Sequence, residues 1–501
     1  MMRRALLVIL VVVALVGLLA LLPDGAPRPP FPRTLPDPVV LADSAGASTW
    51  YCTAASAGTP TSATHQVTIS NPTGHALTAA LSGYGSAEGG VPTTATVEVP
   101  ARAAVVVDRA GFGGDASGSV LVEVTGGGVA VSHRLIDGPT SDEAPCVTSP
   151  SSTWYFPSLN TQIGNSARLW IFNPFAADAA VDITVASTDG VRIPRALSAL
   201  VIPARTARFV DLGETEQRRD QFAISVKARA GQFTAELVEQ TAGAPTGTGL
   251  RLDPGMPRSA RRILFADSFG AENVHERVIV FNPHGASATA TVSVRPDGAD
   301  VATYPEPFRL EVPARRFVTV DLDAETRLPP STSRTVTVET GSPAGLVASR
   351  VVWVSGSPNG LGVESGTANS VGATAAAMSW VVPRLDAAGP GRSFVRIANL
   401  SAKSIAVVRL RVMAAGVVAD AVPGGKVEVP AGGSATLDVG AVVAADVPGV
   451  LVATSASPIV VERRALASTT TDFWMLTAIP VGPTVSALRG LPALPPKVTS
   501  K

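Results

Sequence analysis

Residues 67–72 read Val67-Thr68-Ile69-Ser70-Asn71-Pro72, and the same pattern returns three times along the chain. It recurs as Leu169-Trp170-Ile171-Phe172-Asn173-Pro174, as Val278-Ile279-Val280-Phe281-Asn282-Pro283 and, degraded, as Val395-Arg396-Ile397-Ala398-Asn399-Leu400. An alternating run of this kind is a strand, and Asn-Pro behind it is a turn, because Asn bonds the local backbone and Pro refuses a ladder bond. A second landmark follows each Asn at a near-constant distance. It is Val99-Pro100-Ala101, Ile202-Pro203-Ala204, Val312-Pro313-Ala314 and Val429-Pro430-Ala431, with Asn-to-Pro spacings of 29, 30, 31 and 31. Eight residues after each of these prolines stands an aspartate: Asp108, Asp211, Asp321 and Asp438. An aromatic or apolar strand opens each copy, at Trp50-Tyr51, Trp154-Tyr155-Phe156, Ile263-Leu264-Phe265 and Trp380-Val381-Val382. Landmarks in register four times over make the chain a tandem repeat.

The Asn-to-Asn steps of 102, 109 and 117 residues set the size of one copy. Within a copy, short Val-, Thr- and Ile-rich runs alternate at period two, separated by Gly, Pro, Asn and Asp. No stretch beyond the first 22 residues sustains a helical period. About seven strands per copy is the arithmetic of an immunoglobulin-like β-sandwich. A propeller fits less well, since its blades run about 40–50 residues. The expected fold is therefore all-β: four tandem immunoglobulin-like modules over residues 47–150, 151–258, 259–376 and 377–485, strung as a rod. A further Trp-led strand, Trp474-Met475-Leu476, either closes the fourth module or echoes the opening of another.

The N-terminus sets the expected compartment. Arg3 and Arg4 precede an uncharged apolar run from Ala5 to Leu22, 18 residues long. A secretory core runs about 7–15 residues and a spanning helix needs about 20, so the run lies nearer the helix. With no clear small-x-small cleavage site behind it, residues 1–22 read as a signal anchor that holds the membrane through residues 5–22. The positive-inside rule then places the N-terminus in the cytoplasm and the body outside the cell; cleavage would make the body a secreted protein. Residues 23–46 read as a Pro-rich stalk, with seven prolines between positions 23 and 38. Residues 486–501 read as a Pro-rich tail.

Forty basic and forty acidic residues cancel, so no nucleic-acid partner is expected. Apolar residues at 46% of the chain supply several packed cores. The two cysteines, Cys52 and Cys146, flank the first module. Outside the cell such a pair is expected as one structural disulfide. Closing so long a loop is worth roughly 4–5 kcal/mol by chain entropy.

The residues that could carry chemistry point away from it. His275-Glu276 begins like a zinc-binding His-Glu-x-x-His, but Ile279 stands where the second His is needed. The chain has neither a Gly-x-Ser-x-Gly elbow nor a Gly-Lys phosphate loop. Gly111-Phe112-Gly113-Gly114 precedes no helix that could hold phosphate. The five histidines share no landmark beyond the turn-adjacent His75 and His284. The four repeated aspartates lack the clustered acids that calcium wants, so they read as strand-end acceptors. The tryptophans read as core anchors. No catalytic, cofactor-binding or metal-binding residue is assigned, and no cofactor is expected.

Trp50-Tyr51-Cys52, Trp154-Tyr155-Phe156-Pro157 and Ile171-Phe172-Asn173-Pro174-Phe175, behind an anchor and Pro-rich spacer, resemble an actinobacterial family. That family comprises secreted or membrane-anchored cell-envelope proteins of unknown function. The resemblance covers most of residues 47–485, and its motifs are turn and core motifs that transfer no catalytic residue. It implies a place in the cell envelope. The expected function is a non-enzymatic binding or scaffolding protein, with envelope glycan or envelope proteins as partners. Two alternatives stand beside it: an envelope-modifying hydrolase or transferase with a site between modules, and an adhesin.

Overall fold

A computed structural model of the chain describes residues 35–56, 63–112, 118–243, 247–298, 304–329, 332–357, 361–386, 392–443, 447–466 and 472–488. Among them every regular element is a β-strand or a short 3-10 turn. No helix among the described residues is long and apolar enough to cross a membrane, and the anchor expected at residues 1–22 lies outside them.

The first copy shows the plan. Its strands are β1 (Ser48–Cys52), β2 (Ala63–Asn71), β3 (Leu77–Tyr84), β4 (Thr93–Val99), β5 (Ala103–Asp108), β6 (Ser119–Val124), β7 (Ala130–Asp137) and β8 (Thr140–Pro145). They form two antiparallel sheets, β1-β6-β3-β4 and β5-β2-β7-β8. Alternation decides which face is buried. Val67 and Ile69 of β2 and Leu81 of β3 point between the sheets, where Trp50 is fully buried with them. Trp154 and Trp380 take the same core position in their copies, each donating its indole N–H to a backbone carbonyl, of Phe233 and Ile459 respectively, at 2.9 Å. The tryptophans are core anchors. Cys52 and Cys146 are joined, with an S–S distance of 2.05 Å, and tie the end of β1 to the residue after β8.

The second and third copies repeat the two-sheet order. In the fourth, one 18-residue strand, Gly449–Leu466, does the work of both β6 and β7 and joins both layers into a single sheet. The Trp-led strand Phe473–Thr477 pairs with it from Leu466 to Glu462, in the place of β8, so it closes the fourth copy.

The Asn and Pro landmarks are two sides of one clamp. Asn173 is fully buried; its Nδ2 donates to the carbonyls of Ala177, Ile202 and Pro203, and its Oδ1 accepts from the Phe175 N–H at 3.1 Å. Asn71, Asn282 and Asn399 bond their own turns in the same way. The second residue after each landmark Pro completes the clamp. Arg102, Arg205, Arg315 and Gly432 all have a left-handed backbone, with φ between 54° and 64°. Their N–H groups donate back to Thr73, Phe175, His284 and Ser401, two residues past the Asn. The near-constant spacing is the chain length needed to bring those turns together.

The expected rod is corrected by the packing. The described residues from Pro36 onward form one compact unit, and buried apolar clusters run across every junction between neighbouring copies. Trp170 and Phe172 pack with Ala54, Ala55 and Tyr84 between the first and second copies. Ala186, Ala223 and Met256 join the core of the third. Leu264 and Ala266 join that of the fourth. Val381, Val450 and Ile479 of the fourth then join the core of the first. The four copies close in a ring because both outer faces of each carry apolar side chains, which separate modules would leave in water.

The ends differ from expectation for the same reason. The stalk was expected to continue to residue 46, yet Val39 and Val40 are buried, and Val40 bridges Val481 in parallel. The tail was expected from 486, yet Val485–Ala487 pairs with Ala375–Ala377. Residues 23–34 and 489–501 lie outside the described residues.

Candidate functional site

The four β8-type strands, Thr140–Pro145, Thr248–Asp253, Gly366–Ser370 and Phe473–Thr477, touch in cyclic order, the last returning to the first. They form the hub of the ring. At their N-terminal ends one carboxylate joins all four copies. Asp472 accepts from the N–H groups of Ser141 at 2.8 Å and Phe473 at 2.9 Å, and from those of Leu250 and Thr367. Asp142 accepts from the N–H groups of Leu252 at 2.6 Å and Glu143 at 2.7 Å. Burial pushes both carboxyls well above the usual range. Asp253 is pushed up to about 7 by burial, against the Gly255 N–H that bonds it.

Beside the hub lie charges that the core would reject singly. Between the first and fourth copies, Arg134 pairs with Glu143 at 3.2 Å and with Asp386 at 2.8 Å, while Arg463 reaches Glu143 at 3.5 Å. Burial opposes ionisation of Asp386, but Arg134, Arg384 and Arg463 outweigh it and hold its carboxyl low. The guanidinium of Arg134 also stacks over Trp474, 4.4 Å from the ring centre. Between the third and fourth copies, Arg396 grips Asp297 with two bonds of 2.7 and 2.8 Å, and Arg350 reaches Glu462 at 3.3 Å. Such pairs are costly to desolvate and costlier to break singly.

At the C-terminal ends of the hub strands lies a cavity of about 80 Å³, lined by residues of all four copies, among them Pro145, Leu252, Asn369, Trp380 and Met475. Pro36, Asp37 and Pro38 form its remaining wall. Asn369 is buried and its Oδ1 has no hydrogen-bond partner among the described residues.

The residues singled out by sequence fall elsewhere. Asp108, Asp211, Asp321 and Asp438 sit at the rim, exposed or half-exposed. Asp211 and Asp438 each accept from the N–H two residues on, at 2.9 Å, and Asp321 pairs with Arg277. His275 bonds Asp323 and Ser355 at 2.8 Å each. Among the described residues no group of three or more His, Cys, Asp or Glu side chains is placed to hold a metal ion. Gly113 and Gly114 lie outside the described residues.

Sequence reasoning missed the hub, and it missed a histidine pair. His65 Nε2 stands 3.1 Å from His133 Nδ1, and His133 Nε2 stands 2.9 Å from Glu236 Oε1 of the next copy. Burial, with His133 and Arg109 nearby, holds His65 well below the ordinary value. The available signal was the charge inside apolar strands, as in Val460-Val461-Glu462-Arg463-Arg464-Ala465-Leu466. A solvated strand would alternate; this one carries three consecutive charges.

Residues 142–264 match a family of unknown function (DUF5719). The matched stretch, about a quarter of the chain, starts within β8, runs through the second copy and ends in the first strand of the third. It thus begins at the hub residue Asp142. No curated protein matches the chain. Among solved structures, Thermotoga maritima 1070 is 16% identical over 23% of this chain and 94% of its own, with a TM-score of 0.19. Streptomyces avermitilis α-L-rhamnosidase, complexed with L-rhamnose, is 11% identical over 69% of this chain, with a TM-score of 0.12. The chain spans 46% of that enzyme's length. At these scores neither likeness bears on fold or activity.

Proposed function

We propose that the protein is a non-enzymatic binding or scaffolding protein of the cell envelope. In this reading residues 5–22 hold it to the membrane, the body is extracytoplasmic, and its two-sheet copies are immunoglobulin-like modules. The observation that carries the reading is the use made of the buried charges. Arg134, Glu143, Asp386 and Arg463 bond one another, and Asp142 and Asp472 accept backbone N–H groups. Each is engaged in holding copies together, which is the work of a rigid framework. The Cys52–Cys146 disulfide supports an oxidising compartment.

A framework of this kind presents its outer loops and edge strands to partners. Val201, Phe209 and Ile193 of the second copy, and Ile405, Val407 and Val417 of the fourth, are large apolar side chains left in water. Envelope glycan and envelope proteins are the proposed partners. The test is co-sedimentation of the full-length protein with purified envelope glycan and with envelope membranes, followed by chromatography of the glycan. Binding with an unchanged glycan profile is expected. Shortened or modified glycan would replace this reading with the enzymatic one.

A further inference from the structure

The cavity at the hub is walled on one side by the chain's own Pro36, Asp37 and Pro38, and Val40, just beyond them, packs into the core of the first copy beside Trp50 and Ile479. The segment lies along an open sheet edge. Val40 N–H donates to the Pro480 carbonyl at 2.9 Å, and the Gly482 N–H donates to the Val40 carbonyl at 2.8 Å. Asp37 is held at a separate point: its Oδ1 accepts from the Thr148 N–H at 2.6 Å and hydroxyl at 2.8 Å, and its Oδ2 from the Ser149 N–H at 3.2 Å. Pro36 and Pro38 flank that carboxylate and face the cavity beside Pro145, Pro254, Trp380 and Pro480. Val39 and Val40 are the apolar anchors, 4% and 1% exposed. Main-chain pairing to a sheet edge and a Pro-rich stretch against an aromatic wall are two known ways of recognising peptides, and a carboxylate accepting backbone N–H bonds adds a third, charge-assisted hold. Here one segment uses all three.

We propose that the hub is a recognition groove for a peptide of the form Pro-acid-Pro followed by two β-branched residues, filled in cis by Pro36–Leu41 and open to exchange with a second strand of that chemistry. The groove is built by the ring. Thr148 and Ser149 belong to the end of the first copy, Pro254 to the end of the second, and Trp380 and Pro480 to the fourth. The segment therefore latches the first copy to the last as it fills the site, and a competing strand would inherit both roles. The inference rests on these contacts alone and stands whether or not the partners proposed above are right.

The test uses the full-length protein and a fluorescein-labelled peptide of residues 34–44. In the wild type the cis segment acts at an effective concentration on the order of millimolar and keeps the labelled peptide out. The variant carrying Asp37→Ala and Val40→Asp weakens the cis segment. It is expected to bind the labelled peptide at least about tenfold more tightly than the wild type does, and a peptide carrying Val40→Asp at least about tenfold more weakly than the parent peptide. A folded variant with no such preference would overturn the proposal. Should the variant fail to fold, excess peptide is expected to restore its circular dichroism and raise its Tm; no rescue would overturn the proposal equally.

Discussion

Asn173 Nδ2 donates to the carbonyl of Ile202 across 29 residues, at 3.0 Å, and the equivalent bonds run from Asn71 to Val99, from Asn282 to Val312 and from Asn399 to Val429. One buried amide thus measures the same loop in every copy. Asn173→Ala would leave its carbonyl partners and the Phe175 N–H unpaired, at a cost of about 2–4 kcal/mol. Asn173→Asp should cost at least as much, since it sets a carboxylate against three carbonyls. Chemical denaturation of each variant checks the order.

The left-handed residue of the same clamp offers an opposite test. Arg205 and Arg315 stand at φ 54° and 56°, where Gly432 stands in the fourth copy. A side chain costs about 1 kcal/mol in that conformation. Arg315→Gly is expected to stabilise by about 0.5–1 kcal/mol, and Gly432→Ala to destabilise by a similar amount. A shared sign for the two changes would show that the side chains, not the backbone, decide.

The rim aspartates are expected to matter little. Asp211→Asn keeps the acceptor for the Gly213 N–H and should be near neutral. Asp211→Ala should cost no more than about 1 kcal/mol, because the group is half in water. Tm measured with and without EDTA should not differ.

The turn landmarks, core tryptophans and disulfide were legible in the sequence because they repeat or stand alone: Asn, Pro and Trp return in register, and two cysteines can pair in one way; that the Asn closes on the carbonyl before the Pro was not legible, because it is a contact across some 30 residues. The ring was not. The outward-facing residue three before each clamp Asn is Thr68, Trp170, Ile279 or Arg396. These share a place and no chemistry, because each meets a different neighbour. The hub failed for a related reason: Arg134, Glu143, Asp386 and Arg463 are scattered over more than 300 residues and meet only when the last copy returns to the first. Charges spaced so widely read as surface until the closure is known.

Breaking the hub pair should therefore cost far more than a surface pair. Glu143 and Arg463 are both fully buried at the side chain. Glu143→Ala leaves Arg463 and Arg134 short of a counter-charge, at about 3–5 kcal/mol. The double change Glu143→Leu with Arg463→Met should cost less than the single one, a non-additivity that denaturation of all three variants would reveal.

The pH dependence follows from groups of opposite sign. Asp253 has its carboxyl raised from 3.8 to about 7, and Asp142 and Asp472 are raised as well. The contribution of Asp253 is complete below about pH 4 and is lost as pH rises through about 7, and those of Asp142 and Asp472 likewise fall as pH rises. His65 is depressed, so its contribution is present above about pH 6.5 and falls away in acid. Asp253→Asn keeps the neutral form at every pH. Relative to the wild type it should gain about 2–4 kcal/mol on going from pH 4 to pH 8. Equal changes in both proteins would mean that Asp253 is not held neutral.

The closed ring is tested most directly by calorimetry of the full-length protein, comparing Trp154→Ala in the second copy with Trp380→Ala in the fourth. Each removes a fully buried indole, worth about 3–5 kcal/mol. If the four copies are one unit, the wild type unfolds in a single transition and both substitutions move that whole transition down. Several resolved transitions, with each substitution shifting only one of them, would show independent modules and contradict the ring.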